Sequence, residues 1–60
     1  GAIKDFTKAI KLDPDYVKAY NNRGNAKTPL KDYEGALADY NKAIELDPNY
    51  AMAYANRGFL

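Results

Sequence analysis

The sequence repeats itself. Shifted by 34 residues, Gly1–Ala26 falls on Gly35–Leu60, and 15 of the 26 aligned pairs are identical. The matches include Asp5/Asp39, Tyr20/Tyr54 and the whole of Asn22-Arg23-Gly24 against Asn56-Arg57-Gly58. Asp13-Pro14 falls on Asp47-Pro48 in the same frame. A fixed period in the range of about 20–50 residues marks a solenoid, in which each unit buries its apolar face against the next.

Four helices fit this frame. Residues 2–12 place Ala2, Ile3, Phe6, Ala9, Ile10 and Leu12 on one face, with Lys4, Lys8 and Lys11 on the other. Pro14 cannot continue that helix and suits the first turn of the next, with Asp13 as its N-cap, so the second helix is expected over 14–28. Pro29 interrupts it, and Asp32 caps a third helix over 32–46 with the stripe Ala36, Leu37, Tyr40, Ala43, Ile44. Asp47-Pro48 repeats the punctuation, and a fourth helix follows over 48–60. The fold class is all-α, as one segment of antiparallel helix-turn-helix units.

The composition narrows the function. Nine Lys and Arg against eight Asp and Glu give a net charge of +1, too balanced for a dedicated nucleic-acid or anionic-membrane binder. No apolar run approaches the roughly 18–20 residues of a membrane span. The absence of cysteine and of a signal-peptide pattern suits the cytoplasm. Without histidine, cysteine, serine or a Gly-rich phosphate loop, no catalytic set, cofactor or metal site is expected.

Two helices per 34 residues, carrying Tyr20-x2-Arg23-Gly24-x2-Lys27, Ala36-x3-Tyr40 and Pro48, resemble the tetratricopeptide repeat. The resemblance covers the whole chain, as a segment of about 1.8 repeats in the order helix B, A, B, A. It implies a right-handed superhelix in which Tyr20, Gly24, Ala36, Tyr40 and Ala43 pack between helices and Pro14 and Pro48 end each unit. Four positions depart from the pattern. Arg23 and Arg57 stand where an apolar residue is usual, and Lys27 stands where an aromatic is usual. Lys31 occupies the place of a glycine in the A–B turn, where a positive φ costs about 1 kcal/mol.

The resemblance also implies a peptide or protein partner on the concave face of the A helices. Lys18, Asn21, Asn22 and Asn25 form a polar stripe on the first A helix. The matching stripe on the second carries Met52, Asn56 and Phe59. An asparagine offers a donor and an acceptor, so it can bracket a peptide bond without reading side chains. A subset of the family clamps the acidic tails of heat-shock chaperones. Asn25 and Asn56 match two of those places, but Asn21 stands where the clamp has lysine.

Arg23 and Asp39 face each other across the A–B interface and are expected to pair structurally. Their copies Arg57 and Asp5 have no such mate within the chain. The alternative expectation is therefore a self-assembling repeat. It would associate head to tail, or as a dimer swapped through Thr28–Lys31, with no separate ligand.

Overall fold

A computed structural model describes residues 1–60. It contains four α-helices and no strand: α1 (Ala2–Leu12), α2 (Val17–Lys27), α3 (Tyr33–Leu46) and α4 (Ala51–Gly58). Each helix packs on its neighbour in sequence, and α2 also reaches α4. The result is a slab of 28 × 26 × 14 Å with α2 at its centre.

The inter-unit turns are two copies of one geometry. Asp13 and Asp47 both adopt φ −140° and ψ 92°, closing α1 and α3. The Asp13 carboxylate accepts from the Asp15 N–H at 3.2 Å, and its carbonyl accepts from the Tyr16 N–H at 3.1 Å. Asp47 holds Asn49 and Tyr50 at 3.1 and 3.0 Å in the same way. These are β-turns with proline second, a position its fixed φ favours.

This corrects the expected helix starts. Asp13 and Asp47 spend their side chains on the turn, so α2 and α4 begin at Val17 and Ala51, three residues later than 14 and 48. Tyr16 and Tyr50 take the N-cap positions without a side-chain bond. Leu12, placed on the apolar face of α1, is instead 79% exposed beside this turn, and Leu37 is also exposed.

The A–B turn is built differently. After α2 the chain tightens into a 3-10 turn at Thr28–Leu30, and Lys31 then adopts φ 62° and ψ 19°. It is the only non-glycine residue with a positive φ. Asp32 follows as the N-cap of α3, its carboxylate accepting from the Gly35 N–H at 3.0 Å.

Nine of the 60 residues are buried, and alanine and tyrosine supply the apolar ones: Ala19, Tyr20, Ala36, Tyr40, Ala43 and Ala53. With alanine at most contacts, the helices approach closely and the tyrosine rings fill what space remains. The tightest place lies between α2 and α3. A Cβ added to Gly24 would sit 2.6 Å from Cε1 of Tyr40, whose ring is 2% exposed and has nowhere to retreat.

Two substitutions should therefore act in opposite directions. Lys31→Gly relieves the left-handed backbone and should stabilise the chain by about 1 kcal/mol, raising Tm by roughly 4–8 °C. Gly24→Ala forces the ring aside and should cost about 1–3 kcal/mol. Thermal and urea unfolding followed by circular dichroism measure both.

Candidate peptide-binding groove

Three charged residues lock α2 onto α3. Arg23 meets Asp39 with both prongs of its guanidinium, Nε at 2.9 Å and Nη2 at 2.6 Å from the two carboxylate oxygens. Lys27 adds Nζ at 3.0 Å to the same carboxylate. Arg23 also stacks over the Tyr20 ring, 5.5 Å from its centroid. The Arg23 guanidinium is pushed above its ordinary pKa, first by the hydrogen bond to Asp39 and further by the charges of Asp39 and Tyr20, while burial opposes. Arg23 thus stays charged where an apolar residue would otherwise sit. Lys27, which replaces an aromatic, contributes a second cation that spacing alone did not assign to Asp39.

The Tyr40 hydroxyl crosses to the groove side. It donates to Oδ1 of Asn25 at 2.7 Å, the usual length for an O–H···O bond. Thr28 Oγ1, which donates back to the Gly24 carbonyl at 3.0 Å, lies 3.4 Å from the same hydroxyl. On the neighbouring A helix, Nδ2 of Asn56 donates to Oδ1 of Asn21 at 3.0 Å, tying α4 to α2.

Between these bonds lies an open groove of about 490 Å³, lined by Asn25, Thr28, Pro29, Tyr33, Tyr40, Asn56, Phe59 and Leu60. It gathers three of the expected site residues, Asn25, Asn56 and Phe59. Lys18 and Met52 are exposed outside it, and Asn22 is half-buried outside it. Asn21 is corrected: it is fully buried under α4, with its Nδ2 meeting no acceptor, so no ligand can reach it. An unpaired buried donor costs about 1–3 kcal/mol.

Thr28, Pro29 and Tyr33 were missed as lining residues. They flank the A–B turn, and only the 3-10 geometry of Thr28–Leu30 puts them at one end of the groove. No group of acidic, histidine or cysteine side chains is arranged as a metal site. No helix is long and apolar enough to cross a membrane.

The repeat supplies an internal control for the ion pair. Asp5 is the copy of Asp39, but it is exposed and pairs with no cation. Asp39→Ala should destabilise the chain by about 2–3 kcal/mol, since it strands Arg23 and Lys27 at a partly buried interface. Asp5→Ala should stay within about 0.5 kcal/mol of the parent. Urea midpoints of the two variants decide this. Equal midpoints would mean that the buried pair contributes nothing.

Comparison with known families agrees with this architecture. The family described as Tetratricopeptide repeat matches residues 17–50, more than half of the chain, and one described as TPR repeat matches residues 1–28. The first match runs from the start of α2 to the tyrosine that caps α4, one full A–B unit with the turn that follows it. Units of this kind serve in general as protein–protein interaction scaffolds, and the chain belongs to the tetratricopeptide repeat family.

Proposed function

We propose that the chain is an interaction scaffold that holds an extended peptide segment of a partner protein in the groove between α2 and α4. One observation carries the reading. The two groove asparagines each have one half of the amide occupied, and the free halves differ. Asn25 has its oxygen taken by Tyr40, which leaves Nδ2 as a donor. Asn56 has its nitrogen given to Asn21, which leaves Oδ1 as an acceptor. A peptide unit presents one carbonyl and one N–H, the complement of that set. Tyr33, Pro29 and Phe59 supply apolar wall around the polar pair. Lys18, Asn22 and Met52 extend the binding face along the A helices.

Because both amides are held by the scaffold, little rotamer freedom remains to be lost on binding. Such a site grips main chain and is tolerant of sequence. Selectivity then falls to the apolar wall and to Lys18, whose charge favours acidic segments. The family resemblance favours binding over catalysis, and the groove assembles no nucleophile–base pair.

Short unstructured peptides, neutral and acidic, titrated into the isotope-labelled chain should shift the amide signals of Asn25, Thr28, Tyr33 and Asn56. Asn25→Asp keeps the oxygen for Tyr40 but removes the donor. It should weaken neutral peptides about tenfold, the equivalent of one hydrogen bond. Shifts elsewhere on the surface, or affinity indifferent to both Asn25→Asp and Asn56→Ala, would refute the groove.

A further inference from the structure

Thr28-Pro29-Leu30-Lys31, the segment between α2 and α3, puts a hydroxyl directly before a proline and a cation three residues after it. Proline-directed protein kinases accept their substrates in that order. The chain has no serine and one other threonine, Thr7, which is followed by lysine. Pro29, Leu30 and Lys31 are all exposed, and no residue of the 3-10 turn is buried. The turn is closed by backbone bonds from Lys31 N–H to the Thr28 carbonyl at 2.9 Å and from Asp32 N–H to the Lys27 carbonyl at 3.2 Å. Lys31 works against that closure, since it holds φ 62° where a glycine would sit freely. An exposed, strained turn of this kind opens at low free energy. Pro29 then biases Thr28 toward the extended backbone that a kinase cleft binds.

The Thr28 hydroxyl faces the polar centre of the groove. It donates to the Gly24 carbonyl at 3.0 Å and lies 3.4 Å from the Tyr40 hydroxyl, which in turn holds Asn25. A phosphoryl group on Oγ1 removes the proton that Gly24 receives. It also brings a charge of about −1.5 to −2 and strong acceptor oxygens beside Asn25 and Tyr40. The chain's net charge of +1 becomes negative. The new charge lies at the C-terminal end of α2, where the helix dipole opposes it.

We propose that Thr28 is a phosphorylation site whose phosphate closes the groove. In the kinase, Thr28 Oγ1 attacks the γ-phosphorus of a nucleoside triphosphate. The bond to the nucleoside diphosphate breaks, and the hydroxyl proton passes to the kinase's base. The phosphate then takes the Asn25 Nδ2 and Tyr40 O–H donors, so neither is left for a peptide carbonyl. Its charge repels acidic segments. This rests on the groove reading above and supplies its regulation.

Magnesium ATP and a cyclin-dependent protein kinase, applied to the folded 60-residue chain, test it. Mass spectrometry should find one phosphate, on Thr28. Thr28→Ala and Pro29→Ala should each abolish incorporation, with circular dichroism confirming that the helices persist. Lys31→Gly should cut incorporation severalfold and leave peptide affinity unchanged. In the isotope-labelled phosphorylated chain, the Asn25 side-chain amide and the Tyr40 ring signals should move. Neutral peptides should bind about tenfold more weakly, the equivalent of one hydrogen bond, and acidic peptides more weakly still. No incorporation, or incorporation at Thr7 to the same extent, overturns the site. A phosphate on Thr28 that leaves Asn25, Tyr40 and peptide affinity unchanged overturns the closure and leaves the groove reading standing. Peptides that bind neither form overturn the groove reading and the closure together.

Discussion

Tyr40 lies so close to the backbone of Gly24 that no side chain fits between them. That contact fixes how near α3 comes to α2, and the rest follows from the distance. Asp39, one residue before Tyr40, reaches Arg23, one residue before Gly24. The Tyr40 hydroxyl reaches Asn25, one residue after Gly24. Three consecutive residues on one helix therefore share two residues of the other, and a single missing Cβ brings an ion pair, a ring and an amide into register. Larger residues at this contact would hold the helices apart and break all three links together.

The groove is a consequence of the same joint. Asn25 is oriented by a hydroxyl from the core, and Asn56 by an amide buried beneath α4. Each has one arm committed to the scaffold, so the free arm is fixed without a partner present. This is the arrangement expected of a surface that grips main chain, where the entropy of ordering long side chains would offset much of each bond. Asp39 is equally a product of repetition. It is buried where Arg23 and Lys27 are both brought to it, whereas its copy Asp5 pairs with neither and is exposed.

Much of the fold was legible in residue order because the determinants are local or repeated. The 34-residue period gave the number of helices, Asp32 as a cap marked the start of α3, and the small residues at Gly24 and Ala36 marked close approach. Lys31 in a glycine's place left the shape of the A–B turn open, and there the residue takes the positive φ itself. Where α2 and α4 begin was harder to read. An aspartate before proline serves a helix cap and a β-turn equally well, and the turn takes it here. The burial of Asn21 was beyond the pattern altogether. Its place on the polar stripe is set by helical spacing, but its cover is set by how α4 leans across α2, which depends on contacts 35 residues away in sequence. The lining role of Thr28 and Tyr33 depends in the same way on a turn whose shape no periodicity describes.

The account holds that the α2–α3 joint is the strongest part of the molecule and that α1 and α4 are carried by it. Native-state amide hydrogen exchange measures this residue by residue. The account predicts the slowest exchange in the middle of α2 and α3, around Gly24 and Tyr40, with α1 and α4 opening at lower free energy. Protection in α1 or α4 equal to that of α2 and α3 would contradict it, because stability would then be spread evenly along the stack.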